Sequence, residues 1–432
     1  MIKKINIIGA GLAGSEACYQ LAKRKIPVNL YEMKPNKKSE AHHINGFAEL
    51  VCSNSLKSDL LSTSSGLLKK ELQLLDSLIL KTAYETRVPA GGALAVDREI
   101  FSEKITKYLK ESKYINIINK EVEQINVDDI NIVATGPLSS DKLITNLLQY
   151  TGSENLFFFD AAAPVITFDS IDMTKAYYKS RYDKGKSDYI NCSMSKEQYD
   201  KFYHFLINGE TVQLKEFENK RVFENCMPVE VMAKRGYETL RFGPLKPVGL
   251  DSNAYAVVQL RQDNMSGTLF NLVGFQTNLK FKEQVKLLQL IPGLEHSKIQ
   301  RYGVMHKNIY INSPKLLNKY SQFENEHNIF IAGQLSGVEG YMESTMSGLI
   351  SAINVSRMIK NESLVEYPLE TMSGALLEYI SNRYNSNFQP MNSNFGILTS
   401  LNEKIKNKNE RKMAYSKRGV EKMKETIKVY SI

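Results

Sequence analysis

The feature that most narrows the possible folds lies within the first 32 residues. Ile5 to Ile8 form a short apolar run, which reads as a buried strand. It leads into Gly9-Ala10-Gly11-Leu12-Ala13-Gly14 and then into a segment, Ser15 to Lys25, built from good helix formers at helical spacing. Each glycine has a task. Gly9 permits the tight turn from strand to helix, Gly11 lets backbone approach a pyrophosphate, and Gly14 lets the helix lie close on the sheet. The helix start then offers unpaired N–H groups and the positive end of its dipole to phosphate. A second strand, Val28 to Glu32, ends in an acid placed to meet a ribose hydroxyl and to disfavour a 2′-phosphate. The chain is therefore expected to begin with an α/β dinucleotide-binding unit for FAD or NAD.

Two downstream segments favour FAD. Asn328 to Ile331 read as a strand that runs into Ala332-Gly333-Gln334, and Ile132-Val133-Ala134-Thr135-Gly136 repeats the strand-to-glycine pattern. Flavoproteins of the glutathione-reductase type close their FAD domain with a segment shaped like the first of these. A second G-x-G-x-x-G is missing from the sequence, so a nicotinamide donor is expected to dock transiently against the flavin. The region between is dense in Tyr, Phe and alternating runs such as Ala254 to Leu260, the pattern of antiparallel strands with helices. The expected fold is a discontinuous, glutathione-reductase-type FAD-binding Rossmann domain with an inserted α+β domain. Its first part covers residues 1–165, the insertion 166–300 and the return segment 301–395, followed by a basic helical C-terminus at 396–432.

Composition adds limits. The 432 residues carry a formal charge of +9, which suits an anionic partner such as RNA, and the last 32 hold ten Lys or Arg against four Glu. A Lys-rich, Trp-free composition also follows from AT-rich coding alone. No apolar run approaches the roughly 20 residues of a membrane-spanning helix, and glycines interrupt the apolar start too early for a signal peptide. A cytoplasmic protein without membrane association is expected. The four cysteines, Cys18, Cys52, Cys192 and Cys226, include no C-x-x-C pair. His42, His43 and His306 lack companions at ligand spacing, so no metal is expected.

Two cysteines sit in loops rich in polar and turn-forming residues. Cys52, between Val51 and Ser53-Asn54-Ser55, is read as the start of a helix, where a thiol pKa is lowered. Cys226 precedes Met227-Pro228 and is followed within 20 residues by Lys234, Arg235, Arg241 and Lys246, neighbours that favour a thiolate and an anionic ligand alike. Arg87 opens a Gly-rich turn, and Tyr341 lies just past the Gly333 turn, where an aromatic ring can stack on a planar substrate. Cys18 and Cys192 read as packing residues.

Several longer stretches resemble the TrmFO family of folate- and FAD-dependent RNA (uracil-5-)-methyltransferases. They are Phe47 to Leu56, Arg87 to Arg98, Asp160 to Pro164, Leu240 to Leu250, Gly274 to Leu279, Tyr302 to His306 and Ile311 to Leu317. The resemblance runs to about residue 395. It implies bound FAD, 5,10-methylenetetrahydrofolate as one-carbon donor, NAD(P)H as reductant, and RNA as the substrate in which 5-methyluridine is made. It places the two functional cysteines on Cys52, as the nucleophile toward uracil, and on Cys226, as a partner thiol. Gly9 to Gly14, Glu32, Gly136, Gly333 and Gln334 are the candidates for holding FAD. Asn54, Arg87, Arg241, Lys246 and Tyr341 are the candidates for contacting folate or uracil. Most of the family modifies the T-loop uridine of tRNA, and some members modify a uridine of large-subunit (23S) ribosomal RNA. Two further readings stand beside these. One is the related, longer flavoprotein that modifies the wobble uridine of tRNA. The other is an FAD-containing RNA-binding or redox protein without methyltransferase activity.

Overall fold

A computed structural model describes residues 3–39, 41–151, 156–183, 186–212, 227–385 and 387–432. Five parallel strands form the sheet at its centre, in the spatial order Ile329–Ile331, Ile130–Val133, Ile5–Ile8, Val28–Glu32, Ile115–Asn119. These segments are rich in Ile and Val because a parallel sheet covered on both faces selects β-branched side chains. On one face Ile5, Ile7, Leu30, Ile132 and Phe330 pack against the helices Leu12–Lys23, Arg98–Glu111 and Tyr341–Ile359. On the other, Ile8, Val133, Ile329 and Ile331 meet Leu143, Ile144 and Leu147 of the helix Asp141–Thr151.

The return segment thus supplies both an edge strand and a helix to a sheet begun more than 300 residues earlier. Its helix Tyr341–Ile359 crosses the fingerprint helix so closely that a Cβ on Gly348 would lie 2.1 Å from the carbonyl oxygen of Ala13. A two-stranded antiparallel ribbon, Leu156–Ala161 with Met305–Tyr310, leads out of this unit and back. Beyond it lies a six-stranded antiparallel sheet in the order Ala176–Tyr178, Tyr189–Met194, Ala256–Gln262, Leu269–Leu272, Val165–Thr167, Ile299–Arg301. The helices Lys196–Asn208 and Phe281–Gln289 cover it through Tyr199, Phe202, Leu206, Leu287 and Leu288. The discontinuous FAD-type domain with an α+β insertion is therefore the observed fold.

A small sheet, Ser55–Ser58, Ala93–Val96 and Arg87–Val88, holds the segment around Cys52 at the seam between the two units. Arg98 stitches that seam. Its buried guanidinium donates to Asp263 of the insertion at 2.9 Å and to the carbonyl of Leu50 at 3.1 Å. The basic C-terminus is one helix, Lys408–Tyr430, packed against Ser64–Leu74 through buried Ser416, Gly419 and Met423. Lys404, Lys406, Lys408, Arg411, Lys417, Lys424 and Lys428 remain exposed on and beside it. Among the described residues no helix is long and apolar enough to cross a membrane.

Candidate functional site

The three strand-end glycine turns lie on neighbouring strands, so their loops emerge side by side at one end of the sheet. Two of the fingerprint glycines are required by the protein itself. Gly9 has φ +98° and a Cβ there would approach the Ala134 carbonyl oxygen at 2.7 Å, while a Cβ on Gly14 would lie 1.9 Å from the Gly9 carbonyl oxygen. Gly11 differs, because a Cβ would meet nothing nearer than that same Ala134 oxygen at 4.0 Å. The space beside Gly11 fits a pyrophosphate at the start of the helix Leu12–Lys23.

Leu12 and Ala13 face inward and are buried. Glu32 is buried at its strand end and accepts N–H groups from Ala10 at 2.8 Å and Lys34 at 2.9 Å, which fixes its carboxylate beside the turn. Gly136 and Gly333 both adopt left-handed backbone, φ +67° and +75°, and Gly333 N–H donates to Ser347. These turns fit the adenosine and pyrophosphate of FAD.

The cleft at Gly9, Gly11 and Glu32 shares Leu138 with a second cavity of about 410 Å³. Cys52, Ser53, Gln334, Glu339, Tyr341 and His306 line that cavity. Cys52 is half-buried in its wall. The Tyr341 hydroxyl oxygen accepts the backbone N–H of Cys52 at 3.1 Å and of Ser53 at 3.2 Å, and it lies 3.0 Å from Cys52 Sγ. With two donors on its lone pairs, the phenol has its own proton left for the sulfur, so Tyr341 donates to Sγ. Burial raises the Tyr341 pKa well above the ordinary value, which keeps that proton in place.

Cys52 is not the helix-start thiol of lowered pKa that its sequence neighbours suggest. It lies on a bend before the strand Ser55–Ser58 and does not open a helix. Desolvation pushes the thiol up to about 12, with Asp160 and Glu339 adding to the rise, while the Tyr341 bond and Arg98 pull it down. In this state the sulfur is a held thiol.

Three carboxyl groups line the cavity with it, those of Asp160, Glu339 and Glu343. Asp160 comes from the outgoing strand of the ribbon, paired in register with His306 on the returning one. Glu339 accepts a hydrogen bond from Gln334. Burial, followed by the charge of Asp160, raises the Glu339 pKa from 4.5 to about 8. A carboxyl raised on folding contributes its full stability below pH 4.5 and gives it up as the pH rises through about 8. Glu339→Gln should therefore match the parent in melting temperature at pH 4.5 and gain on it steadily up to pH 8. A difference that does not change with pH would show that Glu339 is not the titrating group. Farther out, Lys57 pairs with Glu343 at 3.3 Å, and Glu343 also accepts from Ser393 N–H and Oγ at 2.9 and 2.7 Å.

Of the residues expected to contact folate or uracil, Tyr341 alone lines the cavity. Asn54 is buried behind it, donating to the carbonyls of Val96 and Gln262 and accepting from Arg261. Arg87 is exposed and pairs with Asp59 at 3.3 Å. Arg241 lies 3.6 Å over the Tyr255 ring and bonds Glu238, and Lys246 sits half-buried in the insertion. Cys226 falls outside the described residues. Asp160, Glu339, His306 and Ser53 are site residues that the sequence did not single out. Asp160, His306 and Ser53 stand inside the stretches of family resemblance and Glu339 two residues before Tyr341, and only tertiary placement brings them together. Among the described residues no group of three His, Cys, Asp or Glu is arranged to hold a metal.

Comparison with known proteins extends this geometry. Residues 4–363 match the family described as Glucose inhibited division protein A. The chain is 54% identical over 426 residues to the methylenetetrahydrofolate--tRNA-(uracil-5-)-methyltransferase TrmFO of Bacillus pumilus, covering 98% of both chains. It is likewise 54% identical over 422 residues to the protein of that name from Bacillus subtilis, covering 96% of this chain and 97% of the relative. Among solved structures, Aquifex aeolicus GidA superposes with a TM-score of 0.69 at 14% identity, covering 99% of this chain and 75% of that one, a likeness of fold.

Proposed function

The chain belongs to the glucose inhibited division protein A family, on its TrmFO branch, and we propose that it makes 5-methyluridine in tRNA from methylenetetrahydrofolate with bound FAD. The observation that carries this reading is that the glycine-turn cleft and the Cys52 cavity adjoin, with Leu138 lining both. Gly9, Gly11, Gly14 and Glu32 would hold the adenosine and pyrophosphate of the dinucleotide, and Gly136, Gly333 and Gln334 would hold it on the side of Cys52. NAD(P)H serves as the external reductant, since the sequence carries a single dinucleotide fingerprint.

Uracil carbon 5 is a poor nucleophile until carbon 6 is attacked. Cys52 supplies that attack. Its proton leaves for a carboxylate of the cavity, Sγ bonds to carbon 6, and the ring electrons move to carbon 5, which takes the one-carbon unit. The flavin, when bound, supplies the electrons that bring this carbon from methylene to methyl. Loss of the carbon 5 proton to a carboxylate lets the bond from the one-carbon unit to the folate nitrogen break, and tetrahydrofolate leaves. Departure of Sγ on reduction of the remaining methylene restores the ring and, once reprotonated, the thiol. Asp160 is placed to take these protons, and Tyr341 holds Sγ through its donated hydrogen bond. The Tyr341 ring offers the pterin a flat face, and Cys226 is the partner thiol. The exposed lysines of Lys408–Tyr430 and its approach supply positive charge for the RNA backbone.

The test is to incubate the FAD-loaded enzyme with methylenetetrahydrofolate, NADPH and either unmodified tRNA or 23S rRNA, then map new 5-methyluridine. Methylation of tRNA is expected. Methylation of rRNA alone would replace the substrate, while transfer that required S-adenosylmethionine, or none with FAD in place, would overturn the reading.

A further inference from the structure

Behind Cys52 the seam holds a charge imbalance. Arg98 and Arg261 are both buried, yet among the described residues the one carboxylate within ion-pair distance of either is Asp263, which is bonded to Arg98. Arg261 has neutral partners. Its Nε donates to Asn54 Oδ1 at 3.0 Å and its Nη2 to Ser53 Oγ at 2.9 Å. A buried guanidinium held by neutral oxygens keeps much of its field, because the nearby carboxylate, Asp263, is bonded to Arg98 and offsets Arg261 only in part. Both partners are the residues directly after Cys52. Ser53 Oγ also accepts the N–H of Ser55 at 3.1 Å, so its lone pairs are occupied and its own proton is left to donate. Ser53 lines the same cavity as Cys52.

We propose that Arg261, acting through Ser53 and Asn54, is a positioning residue whose charge, only partly offset by Asp263, stabilises the Cys52 thiolate. The inserted domain then contributes to the ionisation of the nucleophile as well as covering the site. The idea rests on the reading of Cys52 as the nucleophile. The other groups facing that sulfur are Asp160 and Glu339, which oppose its ionisation, Arg98, whose charge is largely met by Asp263, and the Tyr341 hydroxyl. Lys57 in the outer wall is paired with Glu343, and His306 comes from the ribbon. Arg261 is the buried cation bonded to the Cys52 turn without a carboxylate of its own.

The experiment reads the pH profile of iodoacetamide alkylation at the Cys52 peptide by mass spectrometry, in FAD-loaded enzyme. The profile midpoint reports the thiolate fraction and is not moved by access alone. Arg261→Gln keeps donors but removes charge. It should shift the midpoint upward by at least about one pH unit, with alkylation at least about tenfold slower at pH 8. Arg261→Lys should stay within about threefold of the parent. The proposal falls if Arg261→Gln, with FAD bound and the parental melting temperature, keeps the parental profile, or if Gln and Lys shift it equally. Should Arg261→Gln fail to fold, Ser53→Ala decides: a parental profile overturns the route through Ser53, and an upward shift supports it. Methylation by a Cys52→Ala enzyme would sink the nucleophile reading, whereas the alkylation profile would still report on Arg261.

Discussion

Cys52→Ala should lower the methylation rate by at least about a thousandfold, the scale on which removing a nucleophile acts, while leaving the protein folded and yellow with FAD. The fold has little reason to object. Cys52 is half-buried, and its Sγ makes one hydrogen bond among the described residues, to Tyr341. The backbone N–H groups of Cys52 and Ser53 keep their acceptor in the variant, because the Tyr341 oxygen is untouched. A loss of rate without loss of FAD therefore isolates the sulfur. Cys52→Ser gives a sharper comparison. The hydroxyl can accept the same bond from Tyr341, yet it is far harder to ionise, so its rate should fall with that of alanine. Tyr341→Phe has a mixed effect, since it removes the donor to Sγ and leaves two backbone N–H groups without an acceptor. Normal methylation by Cys52→Ala would end the proposed role of this thiol.

The route from sequence to this site was uneven for physical reasons. Gly9 to Gly14, Glu32 and the Gly333 turn were readable because each is a local demand of backbone and strand end, visible in a short stretch. The reading of Cys52 as a low-pKa thiol failed because it assumed a helix where the chain makes a turn into a strand, and because burial cannot be seen in neighbouring letters. Arg87, Arg241 and Lys246 are ligand candidates in the sequence because they stand in or beside its motifs. The fold gives Asp59 to Arg87 and the Tyr255 ring to Arg241, and it sets Lys246 away from the cavity. Asp160 and Glu339 lie on different segments of the chain, and the returning ribbon and strand bring them to one cavity. The seam is similar: Arg261 reaches Asn54 across 207 residues, and no periodicity announces that bond.

The glycine turn offers the other large effect, because the three fingerprint positions should fail in different ways. Gly14→Ala forces a methyl to within 1.9 Å of the Gly9 carbonyl oxygen, a backbone atom held by the strand it ends. The helix Leu12–Lys23 must then lift from the sheet, and a loss of about 3 kcal/mol or more is expected, at the upper end of overpacking costs. FAD binding should be lost along with the stability. Gly11→Ala is the informative partner. Gly11 has φ −72°, which any L-residue adopts, and the nearest protein atom to the new methyl is 4.0 Å away. The FAD-free protein should melt within about 1 °C of the parent, since surface changes away from packing cost little. The methyl nevertheless occupies the space assigned to the pyrophosphate, so FAD affinity should fall by at least about tenfold, or about 1.4 kcal/mol. Thermal melts with and without FAD, together with a flavin fluorescence titration, separate the two cases. If Gly11→Ala binds FAD like the parent, the pyrophosphate does not lie on this turn, and the path from Glu32 to Cys52 must be drawn elsewhere.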